Sequence, residues 1–240
     1  MINFTNMKRK YYILLILLLP VATQAYASTK DPIVQSTRFQ QRKNSPFYNS
    51  WFAGAGIGGQ IYFGDHNKQL SLGKRITPNF DLYGGKWINA NTGIRVGVNG
   101  FQIKGLTQNG SHTTGEVYNA AEGLEKQSFK YVYAHADILV NMHNIIDGYD
   151  NERVYSLVPY AGIGVMMTTN EPKATKLSPN LGVLNTFVLT ENLHFTADVR
   201  GNLVADSFDG EVGGRRGEGT LTVSLGISYT FKKRTFYNWR

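Results

Sequence analysis

The chain has 240 residues, enough for one substantial domain or at most two small ones. Charged residues make up 18%, below the roughly 25% of soluble domains, while aromatics reach 12% and Gly numbers 26, a balance that fits many short alternating segments. Cysteine is absent, which excludes disulfides, thiolate metal sites and a thiol nucleophile. The net charge of +8 is spread over scattered basic residues, a distribution that points away from nucleic acid.

Residues 1–27 read as a targeting segment. Lys8, Arg9 and Lys10 form a basic region, 11–19 an apolar run, and Ala25-Tyr26-Ala27 a small-x-small cleavage site. The apolar run is far short of the roughly 20 residues that span a bilayer as a helix. Met7, directly before the basic cluster, is a second potential start. With the three basic residues removed the remainder carries +5, a modest excess suited to lipid or lipopolysaccharide phosphates. Residues 28–50 are polar, contain Pro32 and Pro46, show no periodicity and read as a flexible periplasmic lead-in.

From Trp51 the side chains alternate with a period of two, the signature of strands with one apolar face. The first strand, 51–63, sends Ala53, Ala55, Ile57 and Ile61 one way and Gly54, Gly56, Gly58 and Gln60 the other. The second, 79–88, opposes Phe80 and Leu82 to Asp81, Tyr83 and Trp87. The third, 94–103, places Ile94, Val96 and Val98 against Arg95, Gly97, Asn99 and Phe101. Residues 104–126 read as a long polar excursion. The fourth strand, 128–142, opposes Val132, Ala134, Ala136, Ile138 and Val140 to Tyr131, Tyr133, His135 and Asp137, and 147–151 turn the chain. The fifth, 154–168, carries Pro159, an unfavourable residue for a sheet interior. The sixth is 177–189, and the seventh, 193–205, sets Leu193, Phe195, Ala197, Val199 and Leu203 against His194, Thr196, Asp198, Arg200 and Asn202.

The last strand, 219–231, alternates most cleanly. Leu221, Val223, Leu225, Ile227, Tyr229 and Phe231 share one face, and the other holds only Thr, Ser and Gly. A polar face turned to bulk water should carry Lys and Glu. Small hydroxyl residues instead fit a narrow lumen, with the apolar face turned to lipid and aromatic residues at the interface.

Eight segments of about ten or more residues each suffice for tilted strands to cross a bilayer. The fold class expected is therefore all-β: an eight-stranded antiparallel up-and-down transmembrane β-barrel over 51–231, followed by a short basic periplasmic tail, 232–240. The connections after the second, fourth and sixth strands read as compact turns, which places both termini on the periplasmic side of the cell outer membrane. Trp51, Trp87, Tyr155 and Phe231 then form one aromatic belt, and Phe63, Phe80 and Phe129 the other.

The runs IYFGDHNKQ (61–69), YGGKW (83–87), FQIKG (101–105), VPYAGIGV (158–165), NEPK (170–173) and FDGEVGGRRGEG (208–219) resemble the OmpA-like outer-membrane β-barrel proteins of Bacteroidetes. The resemblance covers about 51–233. It implies an eight-stranded outer-membrane barrel with no catalytic residues to carry over. Larger members continue into a periplasmic peptidoglycan-binding domain; only 232–240 follow the last strand here, so cell-wall tethering is not expected.

Inward charges are the principal candidate residues. Asp81, Arg95, His135, Asp137, Asp198 and Arg200 would share a lumen too narrow for bulk water. Buried charges must be paired and hydrogen-bonded, so a structural carboxylate–guanidinium network is expected, with a rearranging gate as the functional alternative. His194, Thr196 and Asp198 invite a nucleophilic reading. Residues two apart on a strand lie roughly 7 Å apart, too far for a base that must sit about 3 Å from its hydroxyl. The G-x-G-x-x-G match at 54–59 lies inside a strand, where it cannot aim amides at a pyrophosphate. Asp206, Asp209, Glu211 and Glu218 miss the calcium-loop spacing and read as a solvated loop. No catalytic, cofactor or metal site is expected.

The function expected is a structural, envelope-integrity role with loops 64–75, 104–126 and 206–218 displayed outside. An adhesin or host-ligand receptor acting through those loops is the binding alternative; a narrow pore and a lipid A-modifying enzyme are weaker ones. Expected partners are outer-membrane lipid and lipopolysaccharide, the barrel assembly machinery that would read the last strand and Phe231, and a surface ligand, with no nucleic acid.

Overall fold

The computed structural model describes residues 50–150, 152–211 and 217–231. The targeting segment, nearly all of the lead-in and the basic tail lie outside the described residues.

The described chain forms β1 (Trp51–Phe63), β2 (Ile76–Trp87), β3 (Thr92–Thr107), β4 (Thr113–Asn119), β5 (Leu124–Val140), β6 (Tyr155–Thr168), β7 (Thr175–Val188), β8 (Leu193–Ala205) and β9 (Gly217–Phe231), with short helices α1 (Leu72–Arg75) and α2 (Met142–Ile146). Each strand pairs antiparallel with its sequence neighbour, except that β3 reaches past β4 to β5, from Thr92↔Val140 to Thr107↔Glu125. Pairing of β1 with β9, from Trp51↔Phe231 to Phe63↔Gly219, closes the sheet into a barrel of eight strands. Closure pairs both edges of each of the eight barrel strands, the condition for a sheet to stand in hydrocarbon; β4, outside the ring, pairs with β5 alone. Among the described residues no helix is long and apolar enough to cross a membrane.

The barrel is inverted relative to a soluble protein. Ile57, Leu82, Val96, Ile138, Leu181 and Leu225 point outward and are exposed, while Asp81, Arg95, Asp137, Asp198, Arg200 and the Thr/Ser face of β9 are buried inside. Water outside and apolar packing inside would reward the opposite arrangement, so the outer surface is built for lipid. The end carrying Trp51 and Phe231 is the terminal end; the other, crowned by 64–75, 108–123, 169–174 and 206–211, is the loop end.

Several expectations change. The excursion 104–126 is largely strand: β3 runs on to Thr107, β5 already starts at Leu124, and β4 pairs irregularly with it. Leu106 and Leu124 supply the reason, because with Leu70 they form a buried apolar cluster that the polar composition of the segment concealed. Phe101, expected inward, is exposed and packs edge-on against Phe80 at 5.3 Å. Gly100 adopts φ +135, a conformation open to glycine that turns the next side chain out of the lumen. Trp87 and Phe129, assigned to the aromatic belts, are buried in the lumen, because strand parity puts them on the same face as Tyr83 and Tyr131. The connection between β5 and β6 is not compact. Residues 141–154 contain α2, capped by Asn141, whose side chain accepts from the Asn144 amide at 3.1 Å, and they outnumber the loop-end connection 169–174.

Candidate functional site

The lumen is filled in three tiers. At the loop end Tyr62, Ile103, Phe129, Tyr131, Tyr133, Met166 and Val204 pack with Phe208, which enters from the β8–β9 connection. At the terminal end Phe52, Tyr83, Trp87, Leu139, Val158, Tyr160 and Leu184 form a second apolar cluster. Between them stand the six predicted polar residues, all buried.

Arg95 is the hub. Its Nε donates to Asp137 Oδ2 at 2.8 Å, its Nη2 lies 2.7 Å from the same oxygen, and its Nη1 donates to Asp198 Oδ2 at 3.1 Å. The guanidinium also lies 4.2 Å from the Tyr160 ring centroid and 5.2 Å from that of Tyr83. Arg200 completes the circuit: Nε donates to the Tyr160 hydroxyl at 3.0 Å, and that hydroxyl donates to Asp198 Oδ1 at 2.6 Å. His135 bridges the two arms, with Nε2 at 2.9 Å from Arg200 Nη1 and Nδ1 at 3.0 Å from Asp137 Oδ2. Asp81 stands at the edge, 3.8 Å from Arg200 Nη2 and 4.0 Å from His135 Nε2. Buried charges survive only with such pairing.

Period-two alternation is what aims these groups inward, and glycine makes the room. A methyl group on Gly162 would overlap Asp137 Oδ1 and lie 2.9 Å from Asn180 Nδ2. Asn180 and Tyr160 were missed as network members in the sequence, although strand parity alone placed both inside. Asn180 Nδ2 donates to Asp137 Oδ1 at 3.0 Å and to the Tyr133 hydroxyl at 2.8 Å.

His194 and Thr196 line a cavity of about 730 Å³ at the terminal end, together with Phe52, Trp87, Leu139 and Leu184. Asp198, the third member of the nucleophilic reading, is engaged by Arg95 and Tyr160 instead. Among the described residues no group of three or more His, Asp or Glu is placed to hold a metal ion.

Asp209, Glu211 and Glu218, expected in a solvated loop, are buried. Glu211 Oε1 accepts from the Thr107 hydroxyl and the Asn109 amide, each at 3.0 Å, and from the Gln108 amide. Asp209 accepts from Gln127 Nε2 at 3.2 Å and from the Glu211 amide at 3.0 Å. Burial raises the Asp209 carboxyl above its ordinary value, against the hydrogen bonds from Glu211 and Gln127. These bonds draw 206–211 over the mouth of the barrel and seat Phe208.

No family model matches the chain. It is 25% identical over 221 residues to outer membrane protein 40 of Porphyromonas gingivalis, covering 88% of this chain and 53% of that protein; the chain thus spans about half the length of this relative. Among solved structures it is similar to the N-terminal β-barrel domain of Pseudomonas aeruginosa OprF (TM-score 0.46, 13% identity, 77% of this chain and 98% of that one). It is also similar to Neisserial surface protein A (TM-score 0.48, 14% identity, 75% and 97%). Closed register, an apolar outer surface and a charged interior identify the chain as an eight-stranded transmembrane β-barrel of the outer-membrane type, similar in sequence to outer membrane protein 40.

Proposed function

We propose that the protein is a structural scaffold of the outer membrane, with both termini in the periplasm and the loop end displayed outside. The occluded lumen carries this reading. Arg95, Asp137, Asp198 and Arg200 knit the barrel wall across its centre, and the Phe208 cluster closes the loop end, a construction that favours rigidity over conduction. The engagement of Asp198 by Arg95 and Tyr160 speaks against a nucleophilic role for His194, Thr196 and Asp198.

A receptor or adhesin reading has its own support. The β4–β5 hairpin stands beyond the barrel, with Val117 and Tyr118 exposed. Replacing 108–123 with a short Gly-Ser turn separates the two readings and leaves the paired part of β3 intact. A deletion strain complemented by the shortened protein should regain detergent resistance and normal vesicle shedding if the barrel is a scaffold. Restored attachment to host surfaces only by the full-length chain would favour the receptor. Orientation is tested with Asn119→Cys: the chain has no native cysteine, so labelling of intact cells by an impermeant maleimide reports an external hairpin.

A further inference from the structure

The outer wall of the barrel is not uniform. A groove of about 680 Å³ crosses β9, β1, β2, β3 and β5, walled by outward residues such as Ile57, Phe80, Val98, Phe101 and Leu225. Its floor contains Gly56, Gly100 and Gly226, where the wall is bare backbone, and the outward turn at Gly100 raises Phe101 as one side. Lys130 and Thr169 form the end of the groove toward the loops.

That end is held firmly and charged. Lys130 donates its amide to Asn170 Oδ1 at 2.8 Å, and its carbonyl accepts from the Thr169 amide at 2.9 Å. Gln102 lies opposite Lys130 and Ser128 opposite Lys104, so Lys104 and Lys130 are diagonal neighbours on the outer face. Such positions are about 7–8 Å apart, within reach of one phosphate-bearing headgroup. Both are exposed, and neither forms an ion pair among the described residues; the next lysine along, Lys126, is paired with Glu116. Two uncompensated ammonium groups, Lys130 at the end of an apolar groove and Lys104 diagonal to it, match a phosphorylated lipid, acyl chain in the groove and phosphate on the lysines.

We infer that this groove is a seat for lipid A, the phosphorylated glycolipid of the outer leaflet. The assignment rests on the reading that the loop end faces outward, which selects the outer-leaflet lipid over an inner-leaflet phospholipid.

The test is native mass spectrometry of the full chain in detergent, delipidated and then supplied with lipid A, with lipid A stripped of its phosphates, or with phosphatidylglycerol. One lipid A per barrel should survive, and retention should fall roughly tenfold or more, about 1.4 kcal/mol, with the dephosphorylated lipid, with Lys104→Gln/Lys130→Gln, and with Ala55→Phe, which fills the groove. Each variant is first checked for the gel shift of a folded barrel. Equal retention with and without phosphates, or in the double lysine variant, overturns the seat. Phosphatidylglycerol held as tightly as lipid A overturns the choice of lipid. An inward-facing loop end is read separately from the Asn119→Cys label.

Discussion

Arg95 and Asp137 face each other directly in the β3–β5 register, and the side chains of these same two residues form the shortest ion pair of the lumen, 2.7 Å from Nη2 to Oδ2. One cross-strand partnership therefore joins backbone pairing to the central polar circuit.

Removing one member should be worse than removing both. Arg95→Met leaves Asp137 and Asp198 without their principal cation and should cost about 3–5 kcal/mol, whereas a further Asp137→Leu should recover part of that loss. Urea unfolding of the barrel in lipid measures both. Arg95→Met with wild-type stability would remove the circuit from the account.

Closure at the β1–β9 seam has a steric test. A methyl group on Gly58 would overlap the Val223 carbonyl oxygen and lie 2.6 Å from Ser224 Cα, backbone atoms that cannot step aside. Gly58→Ala should destabilise by about 1–3 kcal/mol. Gly73→Ala in α1 meets nothing within 4 Å and should be neutral or slightly stabilising.

Much of this was legible in the sequence, and the failures share a cause. Alternation places a side chain on a face whatever its chemistry, so Asp81, Arg95, Asp137, Asp198 and Arg200 were assigned to the lumen from parity, and the structure sets them there. Trp87 and Phe129 follow parity into the lumen, against the compositional rule that gathers aromatic residues in interfacial belts. Phe101 could not be read, because a positive φ at Gly100 interrupts the alternation without leaving a mark beyond one glycine. The burial of Asp209 and Glu211 depends on contacts about 100 residues away in sequence for Glu211 and Asn109, which no local pattern reports.

The lipid face makes its own prediction. Val96 is 62% exposed in mid-strand and Ile146 69% exposed in α2, outside the strands. Val96→Arg should cost about 2–4 kcal/mol in a bilayer, as charges do near the midplane, and Ile146→Arg close to nothing. Equal costs in reconstituted vesicles would contradict a lipid-facing β3.

Protonation of His112 should oppose the packing of the loop end around it. Its ring stacks on Phe129 with centroids 4.4 Å apart, and burial lowers its pKa, opposed by a backbone hydrogen bond with Glu171. A folded-state value below the unfolded one means that the unfolded loop binds more protons. The stability is complete above the unfolded value of about 6.5 and is lost as pH falls through it toward the folded one. Asp209, raised by burial, works in the opposite sense. Measured against His112→Gln, amide-exchange protection of 108–123 in the wild type should therefore fall further, or rise less, between pH 7.5 and 5. Identical pH profiles would show that His112 is not the sensor.

The most direct measurement on the closed membrane barrel is electrophoretic heat modifiability of the full chain extracted from outer membranes in mild detergent. A closed membrane barrel should give a compact, faster-migrating unheated band that shifts to slower mobility on boiling, with the protein recovered in the outer-membrane fraction. Recovery as a soluble protein whose mobility is unchanged by boiling would contradict the lipid-facing assignment of Ile57, Leu82, Val96 and Leu225 and the barrel function built on it.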